Sequence, residues 1–223
     1  MLAEKALNTE IQPLTGRNSI SEALKRMDKF GVNSLPIVDT TTEKLIGQLR
    51  YSQLRKANDL STPISSLELE EPIKIFQRQH IFEGARLMLQ YELRLLPVID
   101  DAMTFKGVIR KQQVLESLTH MLNLATYGSI LTVALEKRDF MLSEIVNIIE
   151  TEGAKILGLT VETPSKEEGG FRVSIKINLK DATRVVSALN RYDYEVTWDE
   201  TDQEMFGFDM ESRASELIKY LDM

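Results

Sequence analysis

The sequence predicts a mixed α/β protein in which one small unit is built twice and is followed by a different third unit. Residues 19–39 repeat as residues 80–100 at an offset of 61 positions, apolar residue on apolar residue. At an offset of 60 the match continues, with residues 47–50 on residues 107–110. A core built twice explains this better than one continuous fold. The pattern of apolar residues changes after residue 128, and 223 residues are enough for two cores.

Composition narrows the class of protein. With 43% hydrophobic and 27% charged residues the chain is globular, and its net charge of −7 argues against a nucleic-acid partner held by phosphate neutralisation. The absence of cysteine excludes disulfides, thiolate metal sites and thiol catalysis, and two distant histidines do not predict zinc. The N-terminus lacks the apolar core of a signal peptide, and no apolar run is long enough for a bilayer. We therefore expect a cytoplasmic protein without a membrane partner.

Each repeat is predicted to run helix, strand, strand, helix. Apolar residues at helical spacing predict a first helix over 21–30, with Ser19 or Ser21 as its N-cap and Gly31 at its end. The β-branched run 35–38 predicts the first strand, which holds a proline near its start. The other predicted elements are strand 45–49 and helix 52–58 in the first repeat, and helices 82–91 and 112–122 in the second.

The doubled Leu-Pro-apolar-apolar-Asp strand, followed by a glycine in the next strand, resembles a tandem CBS module. The resemblance covers residues 1 to about 122, with repeats over 1–60 and 61–126. It implies a pseudo-twofold pair of α/β units with two clefts, which in many relatives hold AMP, ATP or another adenosyl ligand. It also implies sensing instead of catalysis.

The third region, 127–198, has a different order of elements. Strand 129–135 precedes a helix that ends at Gly153, and Asp181 is predicted to cap a second helix. The remaining strands are predicted at 154–162, 171–178 and 194–198, with a polar turn at 163–170. The order is βαββαβ, which is the ferredoxin-like arrangement.

This third region resembles an ACT domain, and the whole chain resembles small bacterial CBS-ACT proteins, including acetoin-utilisation-like ones. ACT domains usually join the first strand to the first helix through an Asp-x-Pro-Gly turn that approaches an amino-acid ligand. Here Arg138 and Asp139 occupy the loop without that proline or glycine. The loop either binds an amino acid through these two residues or serves packing, with Asp139 as a helix cap.

The predicted CBS clefts depart from the family pattern in both repeats. Where nucleotide-binding relatives carry Gly-x-x-Thr/Ser-x-x-Asp, this chain has Arg50 and Gln53 in one repeat and Arg110 and Gln113 in the other. The glutamines could bond a ribose hydroxyl, and each arginine either binds an anion or pairs with an acidic neighbour such as Glu22 or Glu83. His80 is either a helix-start residue or a ligand contact. The candidate ligand-binding residues are Ser19, Pro36, Arg50, Gln53, Arg78, His80, Pro97, Arg110 and Gln113.

The last segment, 199–223, is predicted as an acidic connector and an amphipathic helix over 209–221. That helix packs either on its own chain or across a homodimer, which CBS and ACT units commonly form.

Three functions compete. The first is a regulatory sensor whose CBS pair binds an adenosyl nucleotide or another anion. The second is a structural or interaction module with ligand-free clefts. The third, an enzyme, is not predicted, because the acids lie mostly in turns, caps and the tail.

Overall fold

The computed structural model describes residues 1–136, 140–163 and 170–198. The chain divides into two compact units, Met1–Leu118 and Thr119–Met223. Arg138, Asp139, most of the predicted turn and the whole predicted tail lie outside the described residues. Within the part of the chain that is described, no helix is long and apolar enough to cross a bilayer.

The N-terminal unit contains both repeats in the predicted order. In the first repeat the elements are α1 (Ile20–Phe30), β1 (Ser34–Val38), β2 (Leu45–Arg50) and α2 (Tyr51–Leu54). In the second they are β3 (Ile75–Phe76), α3 (Ile81–Gln90), β4 (Leu95–Ile99), β5 (Phe105–Arg110) and α4 (Lys111–Met121).

Two details differ from the prediction. Helix α2 ends at Leu54 and not near residue 58, because the amides of Lys56 and Ala57 bond the carbonyls three residues back, as in a tighter 3₁₀ turn. The sequence also missed β3, which pairs in parallel with β4. A strand of two residues is too short to show an alternating pattern.

Helix α1 has the ends that its sequence predicts. The Ser19 hydroxyl accepts the Glu22 amide at 3.2 Å, and the Glu22 carboxylate accepts the Ser19 amide at 3.0 Å, which completes a capping box. Gly31 ends the helix at φ 62°, a conformation that glycine adopts without steric cost. The Ser19 cap is therefore confirmed.

The two repeats share a core and pair with each other through their backbones. Leu95 and Val108 of the second repeat pack with Met27, Leu35 and Leu49 of the first. Asn33 joins the repeats again, because its side chain donates to the Glu92 carbonyl at 2.7 Å and accepts the Arg94 amide at 3.0 Å. Because the Asn33 side chain of the first repeat both donates to and accepts from the backbone of the second, these bonds help to fix how one repeat packs on the other.

The C-terminal unit has the predicted βαββαβ order. Its elements are β6 (Ile130–Glu136), α5 (Leu142–Thr151), β7 (Ile156–Glu162), β8 (Gly170–Ile177), α6 (Thr183–Arg191) and β9 (Glu195–Trp198). The strands pair in the order β7-β8-β6-β9, and every neighbouring pair is antiparallel. The ferredoxin-like prediction is therefore confirmed. The fold alone does not assign a ligand to this unit.

The turn between β4 and β5 carries a carboxylate whose acidity follows from its contacts. The Asp100 carboxylate lies 2.9 Å from the Lys106 ammonium and accepts the amides of Thr104 and Ala102. The hydrogen bond from Lys106, followed by these backbone bonds and the charge of Lys106, lowers the pKa of Asp100 from 3.8 to about 2.

We expect Asp100→Asn to reduce the acid sensitivity of the N-terminal unit. Because the pKa of Asp100 is lower in the folded chain, its carboxylate stabilises the fold above pH 3.8, and this contribution disappears as the pH falls towards about 2. Urea unfolding followed by circular dichroism should show a larger free energy of unfolding for the wild type than for Asp100→Asn above pH 3.8. This difference should shrink as the pH falls from 3.8 towards about 2. In Lys106→Gln the pKa of Asp100, measured by carboxyl NMR, should move back towards 3.8. An unchanged pKa would contradict the assigned cause.

Candidate ligand-binding clefts

Each repeat has a corner where its last strand turns into its last helix, and both corners are built alike. Arg50 ends β2 and Arg110 ends β5. The Gln53 side-chain oxygen accepts the Arg50 amide at 2.9 Å, and the Gln113 oxygen accepts the Arg110 amide at 3.1 Å. Each glutamine therefore caps the start of its helix with its oxygen, and only its NH₂ group remains available to donate to a third group.

In the first repeat a carboxylate from the segment between the repeats accepts one hydrogen bond from each of the two side chains. The Glu70 carboxylate accepts Arg50 Nε at 3.1 Å through one oxygen and Gln53 Nε2 at 2.7 Å through the other. Backbone pairing brings Glu70 to this corner, since the Gln48 amide donates to the Glu70 carbonyl at 3.2 Å. Arg50 Nε and Gln53 Nε2 are therefore engaged within the chain.

The acidic partner of Arg50 differs from the two that the sequence suggested. Glu22 is engaged in the α1 capping box, and Glu83 pairs with Arg86 at 2.6 Å. Glu70 was missed because it lies 20 positions from Arg50, in a linker with other acids nearby. The backbone pairing with Gln48 is what places Glu70, among the acids of the linker, beside Arg50.

The second corner carries the same donors without an internal carboxylate. Arg110 Nη2 donates to the Phe30 carbonyl at 3.0 Å, which holds the guanidinium in place. Neither Arg110 Nε nor Gln113 Nε2 has a partner among residues 1–136, 140–163 and 170–198. Both side chains are half-buried.

The residue at the place of Glu70 in this second corner is Asn8. It forms an antiparallel bridge with Val108 through two backbone hydrogen bonds, and Glu70 forms the corresponding bridge with Gln48 through one. The Asn8 side-chain oxygen accepts the amides of Glu10 and Ile11, at 3.1 and 3.2 Å. Asn8 therefore caps its own turn and supplies no carboxylate to Arg110.

These contacts explain why an arginine is tolerated beside a helix start, where it opposes the helix dipole. The Glu70 charge offsets Arg50. Arg110 instead bonds the last carbonyl of α1, and a cation at the C-terminal end of a helix is favourable.

The other candidate residues lie around these corners in structural roles. Ser19 and His80 are the N-caps of α1 and α3, where His80 Nδ1 accepts the Phe82 amide at 3.3 Å. His80 Nε2 also lies 2.6 Å from the Met1 nitrogen. Pro36 and Pro97 are buried in β1 and β4, and Arg78 is exposed.

Gln48 is a polar residue of the first repeat that sequence reasoning did not select. Its side chain is almost fully buried, and its oxygen accepts the Ile73 amide at 3.1 Å. Its side-chain nitrogen, Nε2, has no hydrogen-bond partner among the described residues. Gln48 lies where the second repeat has Val108, so it adds a further attachment of the linker to the first repeat. Over the described ranges, no group of three or more His, Asp or Glu side chains is arranged to hold a metal.

The fold and the paired corners define a duplicated α/β module followed by a ferredoxin-like domain. The model of the CBS domain family matches residues 5–59 and 64–120, which is half of the chain. The chain therefore belongs to the CBS domain family and carries two CBS domains in tandem.

Individual relatives are distant. Inosine-5'-monophosphate dehydrogenase of Streptococcus pyogenes is 26% identical over 98 residues, which are 43% of this chain and 20% of the enzyme. The uncharacterized protein YlbB of Bacillus subtilis is 27% identical over 99 residues, 41% of this chain and 66% of YlbB. The chain thus spans about a fifth of the dehydrogenase. A CBS domain pair/ACT domain protein of Thermotoga maritima has 21% identity and a TM-score of 0.48, covering 53% of this chain and 96% of the other.

Proposed function

We propose that the protein is a non-catalytic regulatory sensor whose CBS pair binds a small anionic ligand, with AMP and ATP among the candidates. The observation that carries this proposal is the pair of donors at the second corner. Arg110 Nε and Gln113 Nε2 are held in place by bonds made by other atoms of the same side chains, and both lack a described partner. A fixed guanidinium beside a fixed amide donor is suited to an anion.

Signalling would follow from the position of this corner. The Arg110 guanidinium lies against the carbonyl end of α1, so a ligand that draws on Arg110 changes a contact between the two repeats. A ligand shifts a conformational equilibrium by its difference in affinity for the two states. We propose that this shift is read out through the geometry of a homodimer.

A second function, a structural module with ligand-free clefts, is favoured by the first corner. There Glu70 engages both donors, so this corner needs no ligand to satisfy them. The similarity to the dehydrogenase covers a fifth of that enzyme and carries no catalytic role to this chain.

Thermal unfolding with a ligand panel separates the two functions. We expect at least one of AMP, ATP, phosphate and small carboxylates to raise the unfolding temperature. At a hundredfold excess of the ligand over its Kd, the free energy of unfolding should rise by about 2.7 kcal/mol. Arg110→Ala should abolish the rise, because it removes the guanidinium of the open corner. The matched variant Arg50→Ala should keep it, because Arg50 is engaged with Glu70. If no compound stabilises the wild-type chain, the structural function is the correct one.

A further inference from the structure

The first corner contains a bound carboxylate that belongs to the chain itself. The two Glu70 oxygens accept one hydrogen bond each, from Arg50 Nε at 3.1 Å and from Gln53 Nε2 at 2.7 Å. This geometry is that of a two-point carboxylate receptor, in which a guanidinium N–H and an amide N–H each meet one oxygen. The first repeat therefore shows which chemical group an Arg/Gln corner of this shape accommodates.

The second corner carries the same two donor groups at the same sequence spacing, with Arg110 also held by the Phe30 carbonyl through Nη2. Arg110 and Gln113 have the same spacing as Arg50 and Gln53, and the same glutamine oxygen caps the arginine amide. The two atoms that hold Glu70 in the first corner, Nε and Nε2, both lack a described partner in the second. Asn8, which lies at the place of Glu70, has its side-chain oxygen turned to its own loop.

The available atoms also restrict the ligand. Because the Gln113 oxygen is occupied by the Arg110 amide, the side chain presents only a donor, and the guanidinium has no acceptor. The ligand must therefore offer acceptors to both. An ionised carboxylate does so with two oxygens and adds charge assistance, whereas a ribose hydroxyl is uncharged.

We infer that Arg110 and Gln113 form a binding site for the carboxylate group of a small molecule. The inference rests on the proposed sensor function and names the ligand class for the same corner. The second repeat binds from solution the group that the first repeat receives from Glu70.

Side-chain NMR of the full chain tests this directly. The wild type, labelled with ¹⁵N, is titrated with sodium acetate and with sodium succinate, with sodium chloride as the ionic-strength control. We expect the Gln113 NH₂ and Arg110 Nε–H signals to shift saturably with both carboxylates and not with chloride. The Gln53 NH₂ signals should not move, because Glu70 already holds that group.

The matched variant is Gln113→Glu. Its carboxylate can still accept the Arg110 amide and cap the helix, but it offers no donor and repels an anion. We expect at least a tenfold loss of acetate affinity, about 1.4 kcal/mol, with the backbone spectrum of a folded chain.

Two results would overturn the inference. One is that acetate and succinate leave the Gln113 signals unmoved at high millimolar concentration, and the other is that Gln113→Glu binds them as the wild type does. If AMP or ATP then shifts the Gln113 signals, the carboxylate assignment fails and the sensor function stands. If no compound shifts them, both fail.

Discussion

Replacing Gly128 by alanine is expected to destabilise the C-terminal unit by about 3 kcal/mol. Gly128 has φ 146°, and an added Cβ would overlap the carbonyl oxygen of Ile177. The backbone around that carbonyl is held on both sides. The Ile177 amide donates to the Ser129 carbonyl at 3.0 Å, and the Ser129 amide donates to the Leu179 carbonyl at 2.8 Å, so the Ile177 carbonyl cannot move freely. The clash is with backbone on both sides, so no rotamer change relieves it.

The single tryptophan reports this effect. Trp198 lies in β9 and packs against the core of the C-terminal unit, so its fluorescence follows the unfolding of that unit. The matched control is Gly153→Ala, which has φ 83° but no atom within 4 Å of the added Cβ. It adds only the strain of a left-handed backbone conformation, about 1 to 2 kcal/mol. Equal urea midpoints for the two variants would contradict the role assigned to Gly128.

Replacing Glu70 by alanine is expected to create a second anion-binding corner. The change frees Arg50 Nε and Gln53 Nε2, which then match the open donors of the second repeat. The stability cost is small, about 0.2 to 1 kcal/mol, because the Arg50 and Glu70 side chains are 32% and 40% exposed. The backbone pairing of residue 70 with Gln48 remains, because it uses main-chain atoms.

In the wild type an external ligand must compete with an attached carboxylate. A group attached through a short flexible connection acts at an effective concentration in the millimolar range. Backbone pairing holds Glu70 beside the corner, so its effective concentration there is higher still. Free carboxylates below this effective concentration therefore do not displace Glu70 from Arg50 and Gln53. In Glu70→Ala, isothermal titration with succinate should give two sites per chain.

The matched control is Glu71→Ala. Glu71 lies on the same linker, is 91% exposed on its side chain and pairs with Lys74 at 3.8 Å. The variant makes the same change in net charge without touching the corner. If it also gained a second site, the gain in Glu70→Ala would be a general charge effect.

Much of the fold could be predicted because the same sequence pattern occurs in both repeats, so each copy supports the assignment of the other. The helical spacing, the Ser19 cap and Gly31 located α1, and the doubled Leu-Pro strands located β1 and β4. Short elements could not be found in this way. β3 has two residues, and its pairing with β4 depends on tertiary contacts.

The candidate site could be predicted only in part. The sequence selected Arg50, Gln53, Arg110 and Gln113 as unusual, and the structure brings each arginine and glutamine together at one corner. It could not show that the two corners differ. That difference depends on Glu70, whose position follows from a backbone register between the linker and β2.

A crystal structure of the wild-type chain grown with succinate shows directly whether the Arg110 corner binds a carboxylate. We expect one succinate, with a carboxylate bonded to Arg110 Nε and Gln113 Nε2, and Glu70 still bonded to Arg50 and Gln53. Succinate beside Gln53 with Glu70 displaced, or a well-ordered Arg110 corner without succinate, would contradict it.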